Sequence, residues 1–256
     1  MDKSPGSGTS RRSVALALPF LLVLALPWGP PTLQADEIHD LIDALVAHRK
    51  AERIPELESL IDQVPQAYHA SEAKMQAKLR SELGKVAKDK KLGAARVAAV
   101  GALVRLDDAK HAWKEVGKLL PKPKTEDATD LDLAVVRATG DLAQPKATKP
   151  LLELVAKAKD PKLAAAAARA IGGYKGHEKV RVKLLAEAVT LGRRLKPGQP
   201  AGGKAGSPDA QKRWELVGAA LVQGLNELTG RDVQGFDAWV ELWNEHKKSP
   251  KDLFPS

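Results

Sequence analysis

The chain has 256 residues, a formal net charge of +9, 43% hydrophobic residues, only 4% aromatic residues and no cysteine. The missing cysteine excludes a disulfide scaffold, thiolate metal or iron–sulfur ligation, a cysteine nucleophile and a lipidated cysteine anchor. Alanine is the commonest residue, strand-favouring β-branched and aromatic residues are scarce, and 29% of residues are charged. An all-α globular chain is expected, neither disordered throughout nor a multi-span membrane protein.

In chain order, a polar stretch ending in Arg11-Arg12 is followed by a 13-residue apolar run from Val14 to Leu26. A bilayer-spanning helix needs about 20 residues, so the run matches the core of an export signal, closed by Pro27, Gly29, Pro30 and Pro31. Residues 1–35 are therefore expected to be a signal peptide cleaved after Ala35, with an uncleaved anchor as the alternative. Ser10-Arg11-Arg12-Ser13 matches the first positions of a twin-arginine motif, but the residues after Ser13 depart from it. Export implies a periplasmic or extracellular address. Without residues 1–35 the charge is +7, unevenly spread: net −6 over 36–73, +9 over 74–124 and +4 over 125–256.

Over residues 36–70, an acidic helical segment, Ile38, Leu41, Ile42, Leu45 and Val46 follow helical spacing. Pro55 opens a second helix carrying Leu57, Leu60, Ile61 and Val64, and Ser71 is the expected N-cap of a third, with Met75, Leu79, Leu83 and Val86. From about residue 92 the pattern repeats. Ala95, Leu131, Leu163 and Val217 share a first slot; Ala99, Val135, Ala167 and Leu221 a second; Ala102, Ala138, Ala170 and Gly224 a third; Leu106, Leu142, Tyr174 and Leu228 a fourth. Successive offsets are 36, 32 and 54 residues. The last contains a flexible insertion over 197–208, and partner helices lie between the copies. Small third-slot residues let helices approach closely, and a stack buries apolar faces that one pair cannot.

Asp160-Pro161-Lys162-Leu163, with Ala166, Ala167, Ala168, Ala170, Ile171 and Gly172, resembles the second helix of HEAT-type repeats. Arg96 keeps the arginine of that pattern, whereas Asp132, Ala164 and Gly218 replace it. Leu228-Thr229-Gly230, Phe236, Trp239 and Trp243 resemble the L-T-G and W-x-x-x-W tail of exported bacterial HEAT-repeat proteins. The resemblance covers roughly residues 70–245. It implies a right-handed α-solenoid of about four helix pairs over 71–230, closed by a capping helix and tail over 231–256, with a binding or scaffold role and no catalytic residues.

The candidate partner-binding residues are Lys85, Lys88, Lys91 and Arg96 in the basic segment and Trp239 and Trp243 in the aromatic tail. Phe236, Trp239, Val240 and Trp243 share one helical face, which favours a cap on the last repeat over an exposed aromatic anchor. The basic segment suits a polyanion or acidic partner, or pairs with the acidic segment internally. The six histidines are scattered, without metal-ligand spacing, and no nucleophile elbow or phosphate loop is present. No cofactor, metal or catalytic residue is assigned. A protein-binding scaffold in the cell envelope is the leading expectation, followed by a polyanion-binding module. An enzyme accessory or lyase-like protein comes third, because HEAT-like repeats also occur in bilin lyases.

Overall fold

The computed structural model describes residues 35–198 and 207–254. The export signal expected over 1–35, Ala35 apart, and most of the loop 197–208 lie outside the described residues. Leu33–Ser256 form one compact unit. Among the described residues there are helices and turns but no strand, so the chain is all-α.

The helices are α1 (Ala35–Lys50), α2 (Ile54–His69), α3 (Ala73–Lys88), α4 (Gly93–Val104), α5 (Ala109–Val116), α6 (Asp130–Leu142), α7 (Thr148–Lys157), α8 (Pro161–Ala170), α9 (Glu178–Leu195), α10 (Pro208–Thr229) and α11 (Phe236–His246). The even-numbered helices from α2 to α10 pack each on the next. The odd-numbered ones form a second layer, in which α1, α3 and α5 pack in succession, as do α7, α9 and α11.

Local chemistry explains where several helices begin and end. Thr129 and Asp132 cap α6 reciprocally: the Asp132 amide donates to Thr129 Oγ1 at 3.2 Å and the Thr129 amide to Asp132 Oδ2 at 2.9 Å. The aspartate standing where the repeat pattern has arginine is thus a capping residue. At α8, Asp160 accepts from the Lys162 amide at 2.7 Å while Pro161 occupies the first turn. The same carboxylate accepts the Ala128 amide at 2.8 Å, tying the loop before α6 to α8. Ser71 is not the N-cap of α3: its hydroxyl donates backwards to the Ala67 carbonyl, and Glu72 takes the cap position without a side-chain bond. Ser71 therefore closes the end of α2 instead of opening α3.

All the repeat slots except Leu131 are buried, and Leu131 is partly buried. Two apolar clusters result, and among the described helices α6 alone places buried residues in both. Val135, Ala138 and Leu142 join the N-terminal cluster, whereas Val136 joins the C-terminal one. Tyr174 is fully buried, and its hydroxyl donates to the Gln144 carbonyl at 2.9 Å. Burial pushes that phenol well above its ordinary range.

Close approach of backbones marks the C-terminal half. A Cβ added at Gly140 would stand 2.7 Å from the Ala170 carbonyl oxygen, and one at Gly173 would overlap the Gly140 carbonyl. One at Gly224 would overlap the carbonyl of Ala168. Small residues are therefore required where α6, α8 and α10 meet. Among the described residues no helix is long and apolar enough to cross a membrane.

Candidate functional site

The basic residues singled out in the sequence are engaged within the molecule. Lys85 pairs with Glu82 at 2.5 Å, and Glu82 is only 7% exposed, so the lysine is counter-ion to a nearly buried carboxylate that also faces Arg49 at 3.5 Å. Lys88 pairs with Glu115, and Lys91 pairs with Glu52 at 2.8 Å. Arg96 donates through Nε to the Ala87 carbonyl at 3.1 Å, satisfying the end of α3 where the helix dipole is negative. Arg105–Asp62, at 2.9 Å, likewise joins the basic segment to the acidic one. Each of the four is thus held by a partner within the molecule, Lys85 on its own helix and the other three on neighbouring elements.

A more concentrated polar cluster sits between α2, α3 and α5. Asp108 caps α5 and accepts from Tyr68 Oη at 2.8 Å and Arg80 Nη1 at 2.9 Å, with His111 Nδ1 at 2.8 Å. Burial raises the Asp108 carboxyl, but the bonds from Tyr68 and His111 outweigh it and hold the group below its ordinary range. Burial and the same carboxylate raise Tyr68. Asp108 therefore contributes stability above about pH 4, which is lost as pH falls through its lower folded value. Asp108→Asn is expected to cost about 1–2 kcal/mol at neutral pH. It should also flatten the decline in melting temperature between about pH 5 and pH 2. Equal acid sensitivity in parent and variant would show that this carboxylate is not a determinant.

At the C-terminus, Trp239 is fully buried and donates through Nε1 to Asn226 Oδ1 at 2.8 Å, while Trp243 is partly buried against the same core. Trp239 has no surface to offer a partner. Phe236 meets Trp214 edge to face with centroids 5.2 Å apart, and Arg181 lies 4.4 Å over the ring of Phe254. Asn226 was not singled out in the sequence, yet it holds the whole corner. Its Nδ2 donates to the Val233 carbonyl at 3.2 Å, and its Oδ1 receives both Trp239 and the Val233 amide. Gly230 ends α10 in the left-handed region at φ 75°, its amide donating to the Asn226 carbonyl. The Leu228-Thr229-Gly230 signature is thus a helix stop with a buried threonine bonded back to the Leu225 carbonyl at 2.7 Å.

A groove of about 990 Å³ lies over α6, α8 and α10. Its floor is small: Gly140, Ala165, Ala166, Ala170, Gly172 and Gly173. Its cationic side chains are Arg137, Lys162, Arg169 and Lys175, and its anionic ones are Asp141 and Glu227. Burial raises the Asp141 carboxyl above its ordinary value. At one side stands Leu216, 50% exposed and the one large hydrophobic residue so exposed among those described. Arg169 donates through Nε to Gln223 Oε1 at 3.0 Å, and Gln223 donates to Glu227 Oε1 at 3.0 Å, which orders the rim between α8 and α10.

The repeat register contained a signal for this groove. Two positions beyond the second slot lie Gly101, Arg137, Arg169 and Gln223, so the same helical phase that buries Val135 and Ala167 turns Arg137 and Arg169 outward. Among the described residues no group of three or more histidines, aspartates or glutamates converges in a way that could hold a metal ion. In comparisons with known proteins, no family model, no curated protein and no solved structure matches this chain.

Proposed function

We propose that this protein is a non-catalytic helical-repeat scaffold, a right-handed α-solenoid of about four HEAT-like pairs, exported to the cell envelope, where it binds a protein partner. The observation that supports this reading is the groove over α6, α8 and α10, in which a small-residue floor, a charged rim and the exposed Leu216 converge. A surface that offers shape, charge and one apolar contact is suited to recognition without bond chemistry. The polyanion reading draws less support, because Lys85, Lys88 and Lys91 are bound to Glu82, Glu115 and Glu52.

Site-specific photocrosslinking in the native envelope tests the reading. With the crosslinker at the position of Leu216, one protein should be trapped in stoichiometric yield. The same probe at Lys183, exposed on α9 and outside the groove, should trap none of it. Identical adducts from both positions, no adduct from Leu216, or recovery of nucleic acid or anionic polysaccharide alone would overturn it.

A further inference from the structure

We propose that the groove takes an acidic segment of its partner in an extended conformation, with two carboxylates set apart along it received by Arg137 and Arg169. The inference rests on the groove being the binding face. Arg137 on α6 and Arg169 on α8 occupy equivalent repeat positions, so their separation is set by the spacing of adjacent helices. Side chains on adjacent packed helices stand farther apart than neighbouring residues of an extended peptide, which rise about 3.1–3.4 Å per residue. Carboxylates three residues apart share a face of a polyproline II segment, whereas adjacent ones point to different sides.

The surroundings favour this occupant. Arg169 is steered by Gln223 through its Nε at 3.0 Å, which leaves its terminal nitrogens for a carboxylate. Arg137 makes no ion pair among the described residues and is exposed. The small side chains of Ala165 and Ala166 let a peptide backbone lie close to the helices. The row of equivalent arginines is short, because its counterpart on α4 is Gly101 and on α10 is Gln223, and Lys162 and Lys175 add positive charge beside it. A short acidic segment is therefore matched rather than a long anionic polymer. Asp141 and Glu227, inside the same groove, repel a uniform polyanion but can accept amide or cationic hydrogens from a peptide of mixed charge.

Fluorescence anisotropy with the full chain provides the test. The probes are labelled proline- and alanine-rich peptides of about twelve residues, carrying two glutamates either three apart or adjacent. The spaced peptide should bind at least about tenfold more tightly, and increasingly so as salt is lowered. Arg137→Glu and Arg169→Glu, and the milder Arg137→Ala and Arg169→Ala, should each weaken it by about tenfold or more while shifting the thermal melt little, since both side chains are exposed. Equal binding of the two spacings, insensitivity to all four substitutions, or preferential binding of heparin at this rim would overturn the proposal. If the Leu216 probe traps a protein but neither acidic peptide binds, the scaffold reading stands and this inference falls.

Discussion

Trp239→Ala is expected to lower stability by about 3–5 kcal/mol, because it empties a fully buried indole site that the surrounding helices cannot collapse to fill. For a unit of this size that corresponds to a fall in melting temperature on the order of 10 °C. Part of the cost is polar. The indole hydrogen bond to Asn226 disappears, and the oxygen that also receives the Val233 amide loses its better-placed donor, at 2.8 Å against 3.3 Å. Trp243→Ala should cost much less, about 1–2 kcal/mol, because that side chain is only partly buried. Differential scanning calorimetry of the two variants checks the ordering. Unchanged stability in Trp239→Ala together with lost binding would mean that the aromatic face serves a partner after all.

The second large effect is a pair of identical substitutions with opposite signs. Gly224→Ala adds a methyl group against the Ala168 carbonyl, a backbone atom that cannot swing aside, so α8 and α10 must separate. The gain from replacing a helical glycine is about 1 kcal/mol, and overpacking costs about 1–3 kcal/mol or more. Loss of helix–helix contact along the stack adds to that cost, giving a net destabilisation of about 1–3 kcal/mol. Gly101→Ala, inside α4 with nothing within 4 Å of the added methyl, carries only the gain and should stabilise by up to about 1 kcal/mol. Urea midpoints measured on both variants decide the matter. A Gly224→Ala protein as stable as the Gly101→Ala one would refute the close approach of α8 and α10.

Much of the helical architecture was legible because burial imposes a period that survives in one dimension. Leu79, Leu83 and Val86 on α3, and Ala99, Ala102 and Leu106 on and after α4, are buried where helical spacing puts them. The aromatic tail was legible for the same reason, since Phe236 and Trp239 share the face that meets the core. The fate of the lysines was not legible. Lys88 finds Glu115 and Lys91 finds Glu52 across helices, and no local rule links residues 27 and 39 positions apart. Asn226 escaped notice because its importance lies in closing a turn of the chain upon itself. An asparagine within a helix carries no such mark. The groove was half legible: the repeat register aligns Arg137 with Arg169, but outward-facing arginines look the same in sequence whether they line a concavity or meet open solvent.

The position of α6 between two cores bears on how the molecule responds to a ligand. This helix of 13 residues is the seam on which the N-terminal and C-terminal clusters meet, with Leu120 packed against both. In a linear stack, where each layer interacts with its neighbours, such a seam is where cooperativity is weakest. Anything seated in the groove touches α6 as well as α8 and α10. Its binding energy therefore stabilises the helix that both clusters share, so that a ligand held by the C-terminal half also steadies the N-terminal one.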